Sequence, residues 1–221
     1  MNTAIRLLAR VSLVLAGLVL LPSCGGGDDG FDSVVVVTDA DTNAAQRPQV
    51  TFNITNGSGV TGSLVITLVP EHAPKTVANF LAYVNNGFYD NTIIHRNQAG
   101  FVLQGGGYES PVATTDTPTH KPTNAPVQLE VKVSNVLGTV AMARTSDPNS
   151  ATSEFFINLT NNSQLDYQGG GYAAFGYISN PNSLALVTAM TQAPCSAWSF
   201  LGTLGCLPVP NLVITAAAQT R

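Results

Sequence analysis

A chain of 221 residues with 44% apolar and only 10% charged side chains suits one ordinary domain with appendages, or two small domains, and is too apolar to be disordered. Its net charge of −4, from 9 basic and 13 acidic residues, excludes a generally basic nucleic-acid binder. Twenty Gly and 13 Pro favour a turn-rich, mostly β protein, and confinement of near-bilayer-length apolar sequence to the N-terminus excludes a multi-pass membrane protein.

Residues 1–24 begin with Arg6 and Arg10, continue through the apolar Val11–Leu21 and end in Leu21-Pro22-Ser23-Cys24. This is the layout of a secretory signal, and its last four residues resemble a bacterial lipobox. Cleavage before Cys24 and acylation of its thiol would leave a protein anchored in a membrane of the cell envelope by lipid alone, facing the periplasm. A plain signal or a short membrane anchor is the alternative. The expected organisation is a signal over 1–23, a lipidated tether over 24–48 and a folded domain over 49–221. The tether is Gly-rich and carries Asp28, Asp29, Asp32, Asp39 and Asp41 against Arg47, a self-repelling composition that stays extended. Its β-prone run Val34–Val37 is the part expected to dock on the domain. With Cys24 lipidated, Cys195 and Cys206 remain, and two thiols in an exported domain are expected to pair and clip a loop. The chain-entropy model gives roughly 2–3 kcal/mol for so short a ring.

Within the domain, Val50-Phe52-Ile54 and Leu64-Ile66-Leu68 alternate with polar or small residues around Asn56-Gly57, which predicts a hairpin. The period then changes. Val77, Phe80, Leu81 and Val84 fall at helical spacing, with Pro74 suited to the first turn and Gly87 to the stop. Short β candidates follow over Ile93–His95, Phe101–Gln104, Val127–Val133, Gly138–Ala143, Phe155–Leu159, Ala173–Ile178 and Leu212–Thr215. A second helix is expected over Ser183–Met190, with Leu184, Val187 and Met190 on one side. Many consecutive strands with two isolated helices imply an antiparallel sheet closed on itself and covered by the helices.

Most catalytic signatures are absent from the sequence. There is no G-x-S-x-G, and Gly105-Gly106-Gly107 lacks the Lys-Ser/Thr of a phosphate cradle and reads as backbone crowding or a bulge. His72, His95 and His120 have no metal-ligand spacing, so no metal is expected. Three blocks do stand out: Ile94-His95-Arg96-(x4)-Phe101-Val102-Leu103-Gln104-Gly105-Gly106, Gly138-Thr139-Val140-Ala141-Met142-Ala143-Arg144, and Ser153-Glu154-Phe155-Phe156-Ile157. Their order and spacing, with Phe175-Gly176 beyond, resemble the cyclophilin-type peptidyl-prolyl isomerases over residues 49–219, and most closely the exported bacterial branch.

The resemblance implies an eight-stranded antiparallel barrel capped by two α-helices, acting as a monomer on proline-containing polypeptides, with no cofactor and no nucleic-acid partner. It places Arg96, Phe101 and Gln104 in the catalytic group. Val102, Ala143, Arg144, Glu154, Phe156, Leu165 and Tyr172 would bind the substrate, with Phe101, Phe156 and Leu165 forming the apolar pocket for the prolyl ring. Strand alternation agrees: Phe155 and Ile157 can face inward while Glu154 and Phe156 face out, and Val102 shares a face with Gln104. Three departures from the family pattern matter. Ile94 stands where an aromatic usually precedes His-Arg, and Asn97-Gln98-Ala99 lacks the common hydrophobic-Pro pattern. Glu154 stands where the motif has Gln, and by pairing with Arg96 or Arg144 it would either preorganise Arg96 or withhold it, which keeps open a non-catalytic prolyl-peptide binding module. Gln164 stands where sensitive members carry Trp, which implies weak cyclosporin binding. The only Trp, Trp198, lies between the two cysteines and is expected to cover a barrel end.

Overall fold

The protein's structure is a computed structural model that describes residues 34–221. The expected signal and the anchor Cys24 lie outside the described residues, as does the start of the tether. The strands are β1 (Gln49–Thr55), β2 (Thr61–Leu68), β3 (Thr92–Gln98), β4 (Val102–Glu109), β5 (Thr139–Met142), β6 (Phe155–Asn158), β7 (Ala174–Tyr177), β8 (Cys195–Ala197), β9 (Cys206–Pro208) and β10 (Leu212–Gln219). They form one antiparallel sheet in the order β10-β1-β2-β7-β5-β6-β4-β3-β9-β8. A further pairing of β10 with β3, Leu212 opposite Ile94 and Ile214 opposite Thr92, closes eight strands into a barrel. Strands β8 and β9 hang outside as a hairpin. The fold is thus the expected one, a mainly β, closed eight-stranded barrel with two helices.

Helix α1 (Pro74–Asn85) starts with Pro at its first turn but has no side-chain cap of its own at Ala73. The Glu130 carboxylate caps it instead, accepting from the Thr76 backbone N–H at 2.8 Å and the Thr76 hydroxyl at 2.8 Å. Helix α2 (Pro181–Gln192) is capped locally by Asn180, whose side-chain oxygen accepts from Asn182 N–H at 2.9 Å. Val77, Phe80, Tyr83 and Val84 of α1 join Phe52, Tyr89, Phe155 and Phe175 in the barrel core, with the Phe80 and Phe175 rings 4.7 Å apart. From α2 the core takes Leu186, Val187 and Met190. Leu184, expected on that face, is 40% exposed, because the inward stripe runs through Ser183, Leu186, Val187 and Met190.

Side-chain alternation divides the sheet. Leu103, Val140, Met142, Phe155 and Ile157 fill the interior. Their neighbours Val102, Ala141 and Phe156 point outward into a second apolar cluster with Leu165, Val69 and Val133. That outer cluster is the floor of the site described below.

Two other expectations are corrected. Val127–Val133 is not a strand and makes only two isolated bridges, Val127 to Ala151 and Val133 to Val35. Beyond the β3–β10 pairing the far half of β3 is taken by β9, with Asn97 opposite Cys206, and the bridge partners Ala151 and Val35 lie outside the strands. The folded part also begins before residue 49. Val37 is buried, Val35 bridges Val133, and the Arg47 guanidinium is only 2% exposed, bonded to Asp41 at 2.8 Å, Glu71 at 2.7 Å and the Tyr177 hydroxyl at 3.2 Å. A cation held this way fixes residues 38–48 to the barrel wall rather than leaving them extended.

Candidate active site

Arg96 leaves β3 on the outer face of the barrel, half-buried. Its Nε donates to the Leu204 carbonyl at 2.6 Å, and one terminal nitrogen donates to Gln104 Oε1 at 2.9 Å. The other terminal nitrogen bonds Gln98 Oε1. A guanidinium has five N–H donors, so these three contacts leave one N–H on each terminal nitrogen for a ligand. Burial draws the Arg96 pKa down from its ordinary value, against the opposing pull of Tyr172 and Glu154. An arginine starts so high that it keeps its charge.

The guanidinium lines a cavity of about 260 Å³. Phe101, Phe156 and Leu165 line the same space, together with Val102, Gln104, Ala143, Arg144 and Tyr172. Nine of the ten groove residues expected from the sequence therefore converge on one concavity. The tenth, Glu154, lines an adjoining cavity of about 620 Å³ that shares Gln104, Ala143 and Arg144 with the first. It does not bond Arg96 or Arg144. Its Oε2 accepts from Gln104 Nε2 at 2.7 Å, and its Oε1 lies 2.9 Å from His120 Nε2.

The walls are built locally. Leu165 sits on a short 3-10 turn, Ser163–Asp166. Asn162, buried just before it, donates to the Phe101 carbonyl at 3.0 Å and to Asn158 Oδ1 at 2.8 Å. Asn135 donates to Asp166 Oδ1 at 2.9 Å and to the Tyr172 carbonyl at 3.0 Å. This buried amide network ties together the segments that carry Phe101, Leu165 and Tyr172. The Arg144 side chain holds the far wall, donating to the Gly169 carbonyl at 2.7 Å and the Gly171 carbonyl at 2.9 Å, with its guanidinium carbon 4.2 Å from the Tyr172 ring centroid. The Tyr172 and Phe156 rings meet edge to face at 5.8 Å.

The glycine run is a crowding device, as its sequence suggests. Gly106 adopts φ +87°, and a Cβ on Gly107 would sit 2.5 Å from the Glu154 carboxylate. The register of β3 against β4 shifts on both sides of Ile94, a bulge that turns Arg96 toward Gln104.

The chain matches the family described as cyclophilin type peptidyl-prolyl cis-trans isomerase/CLD over residues 50–206. The chain belongs to that family. Among curated relatives it is 45% identical over 121 residues to peptidyl-prolyl cis-trans isomerase A of Dickeya dadantii, covering 53% of this chain and 60% of that protein. It is 46% identical over 125 residues to the isomerase cyp18 of Streptomyces antibioticus, covering 53% of this chain and 72% of the relative. Isomerase B of Escherichia coli is 43% identical over 118 residues, 52% of this chain and 68% of the relative. A crystal structure of a Cryptosporidium parvum cyclophilin superposes with a TM-score of 0.60 at 22% identity, covering 79% of this chain and 98% of that one. A second structure of that cyclophilin, in the presence of the dipeptide Ala-Pro, gives 0.60 at 23% identity, covering 78% and 99%. At these identities the structural match shows the cyclophilin fold.

Three site contacts go beyond the family motifs. His95 is buried with Nε2 3.5 Å from Glu154, and its Nδ1 has no partner. His120 comes from a loop outside the three blocks, and only its contact with Glu154 marks it. Leu204 lies on the disulfide hairpin, 108 residues from the arginine that its carbonyl holds. Cys195 and Cys206 are joined in that hairpin. Trp198 covers β3 and β4 rather than a barrel end, buried with Ile93, Tyr108 and Val112 and donating to the Asp116 carbonyl at 3.0 Å.

Proposed function

We propose that this cyclophilin-family protein is an active peptidyl-prolyl cis-trans isomerase of the bacterial cell envelope, with Arg96 as its catalytic residue. The observation that carries the reading is the convergence of the Arg96 guanidinium with Phe101, Phe156 and Leu165 on one cavity of about 260 Å³. An X–Pro bond resists rotation because amide resonance sets a barrier of about 18–20 kcal/mol. Half-way through the rotation the prolyl nitrogen is pyramidal and its lone pair has withdrawn from the carbonyl. The two N–H groups that Arg96 leaves unused can donate to that lone pair, which the planar ground states do not offer. The apolar walls take the prolyl ring and displace water that would favour the charge-separated planar amide. No bond to the enzyme forms, and no proton is transferred. The Cryptosporidium parvum cyclophilin, studied with Ala-Pro, supports the substrate class.

Glu154 bonds Gln104 and not Arg96, which favours an aimed guanidinium over a withheld one. In a protease-coupled assay on an Ala-Pro peptide, the wild type accelerates isomerisation, and Arg96→Ala loses about 100-fold or more of kcat/KM, the scale of removing a preorganised donor. A wild type without activity would assign the site to peptide binding alone.

Export and lipid anchoring rest on the residue 1–24 pattern and agree with the Cys195–Cys206 disulfide, since such bonds persist in oxidising compartments. Clients would then be envelope proteins whose folding waits on X–Pro isomerisation. Labelled palmitate should enter the wild type and be lost in Cys24→Ala; equal incorporation in both would reject the anchor.

A further inference from the structure

Glu154 occupies a built position. Its side chain is 16% exposed, and Gly107 opposite leaves room that any Cβ would take from the carboxylate. One carboxylate oxygen accepts from Gln104 Nε2, and the other meets His120 Nε2. The Gln104 amide therefore has a carboxylate on its nitrogen side and the Arg96 guanidinium on its oxygen side. Only one orientation of the amide satisfies both, because a carboxylate only accepts and a guanidinium only donates.

His120 adds a second constraint. Its Nε2 faces the carboxylate at 2.9 Å and its Nδ1 faces the Lys121 carbonyl at 2.8 Å. Both partners are acceptors, and a neutral imidazole has one N–H. The two contacts together are satisfied only by the imidazolium.

We propose that Glu154 and His120 are positioning residues for the isomerase reaction: the carboxylate, held by the His120 imidazolium, locks the Gln104 amide so that its oxygen aims the Arg96 guanidinium into the prolyl cavity. This deepens the proposed function and rests on it.

The electrostatics agree with the geometry. The Glu154 bond raises the His120 pKa above its ordinary value. Burial pushes the Glu154 pKa up, but the His120 bond, the nearby His95 and the Gln104 bond outweigh it and hold the carboxylate low. Burial lowers the His95 pKa, outweighing the opposing pull of Glu154. Tyr108 of β4 places its ring 5.3 Å from the His120 ring. Lys121 Nζ is drawn off to Glu109 at 2.9 Å and the Phe88 carbonyl at 2.8 Å, and Arg96 lies beyond Gln104.

Below the raised His120 pKa both ring contacts stand and Gln104 is locked. As pH rises through it, His120 loses one N–H, one contact breaks, and the aim of Arg96 loosens. The test uses the full chain without substrate, following the His120 ring and the Gln104 side-chain amide by nitrogen-15 NMR from about pH 5 to 9. The Gln104 amide signals should titrate with the His120 midpoint, and Glu154→Gln should lower that midpoint. In the isomerase assay, wild-type kcat should fall about tenfold above the midpoint, short of the loss from an ångström of misplacement, while His120→Gln gives a flat profile. A Gln104 amide that ignores His120, or a midpoint unmoved by Glu154→Gln, in an active enzyme overturns the proposal alone. An inactive wild type at every pH overturns the proposed function and the proposal with it.

Discussion

At Arg96 the protein holds three of five N–H donors with three separate acceptors, and the two left over share a cavity with three apolar side chains. That arrangement depends on a planar fork as well as a charge. Arg96→Lys keeps the charge but has only three donors, so holding Leu204, Gln98 and Gln104 would leave none for the substrate, and its kcat should lie within about threefold of Arg96→Ala. Recovery of most wild-type activity by lysine would show that charge alone suffices. Arg96, Phe101 and Phe156 were legible because the motif blocks name them, and Leu165 because the family resemblance places it in the same pocket. Among the partners that aim Arg96, Gln104 belongs to the first motif block and was legible with it, whereas Leu204 and His120 were not. Leu204 and His120 reach the site from loops remote in sequence, and neither spacing nor periodicity reports a contact that only chain closure creates. The expected partner of Glu154 was wrong for a related reason: Gln104 lies between Glu154 and Arg96.

At the scale of elements, the first hairpin and α1 could be read from their periods, while β5, β6 and β7, buried on both faces, could be read only as short apolar runs set off by turn residues. The β8–β9 hairpin could not. Its strands are three residues long, and it is held by the disulfide and by Trp198 packed on Tyr108 and Ile93. Val127–Val133 has the alternation of a strand but pairs only through single bridges to Ala151 and Val35, outside the sheet. The hairpin presents the Leu204 carbonyl to Arg96, so its order belongs to the site. Replacing both cysteines by serine should remove roughly 2–3 kcal/mol of stability on the chain-entropy model. For a domain of this size that is a fall of roughly 4–12 °C in Tm by calorimetry, with a lower isomerisation rate as Arg96 loses its Nε anchor. An unchanged Tm and rate would show that packing alone holds the hairpin.

For the molecule as a whole, closure of β10 onto β3 makes one continuous interior core and turns a second apolar layer outward as the floor of the cavity. The segment before residue 49 is fastened to this barrel through Arg47. Composition hid this, because five aspartates among glycines read as a solvated tether and nothing local shows that Asp41 and Glu71 share one cation. Burial alone would lower the Arg47 pKa, but the bonds to Asp41, Tyr177 and Glu71 raise it. The Asp41 pKa is lowered, first by its bond to Arg47. The Glu71 pKa is also lowered, its burial outweighed by hydrogen bonds that include Arg47. Carboxylates with depressed folded pKa values add stability above their unfolded range and lose it as pH falls through the folded values. Arg47→Ala should therefore move the acid-unfolding midpoint to higher pH, read by circular dichroism. An unmoved midpoint would mean that the segment is held by Val37 and its neighbours alone.

The central claim is that Arg96 stabilises the twisted amide more than the bound planar peptide. Its most direct test is to measure peptide Kd and bound-state isomerisation rate separately, by NMR exchange on an Ala-Pro peptide, for wild type and Arg96→Ala. The account predicts a rate about 100-fold lower with Kd changed by no more than about threefold. Equal losses in affinity and in kcat/KM, with the bound-state rate intact, would contradict it.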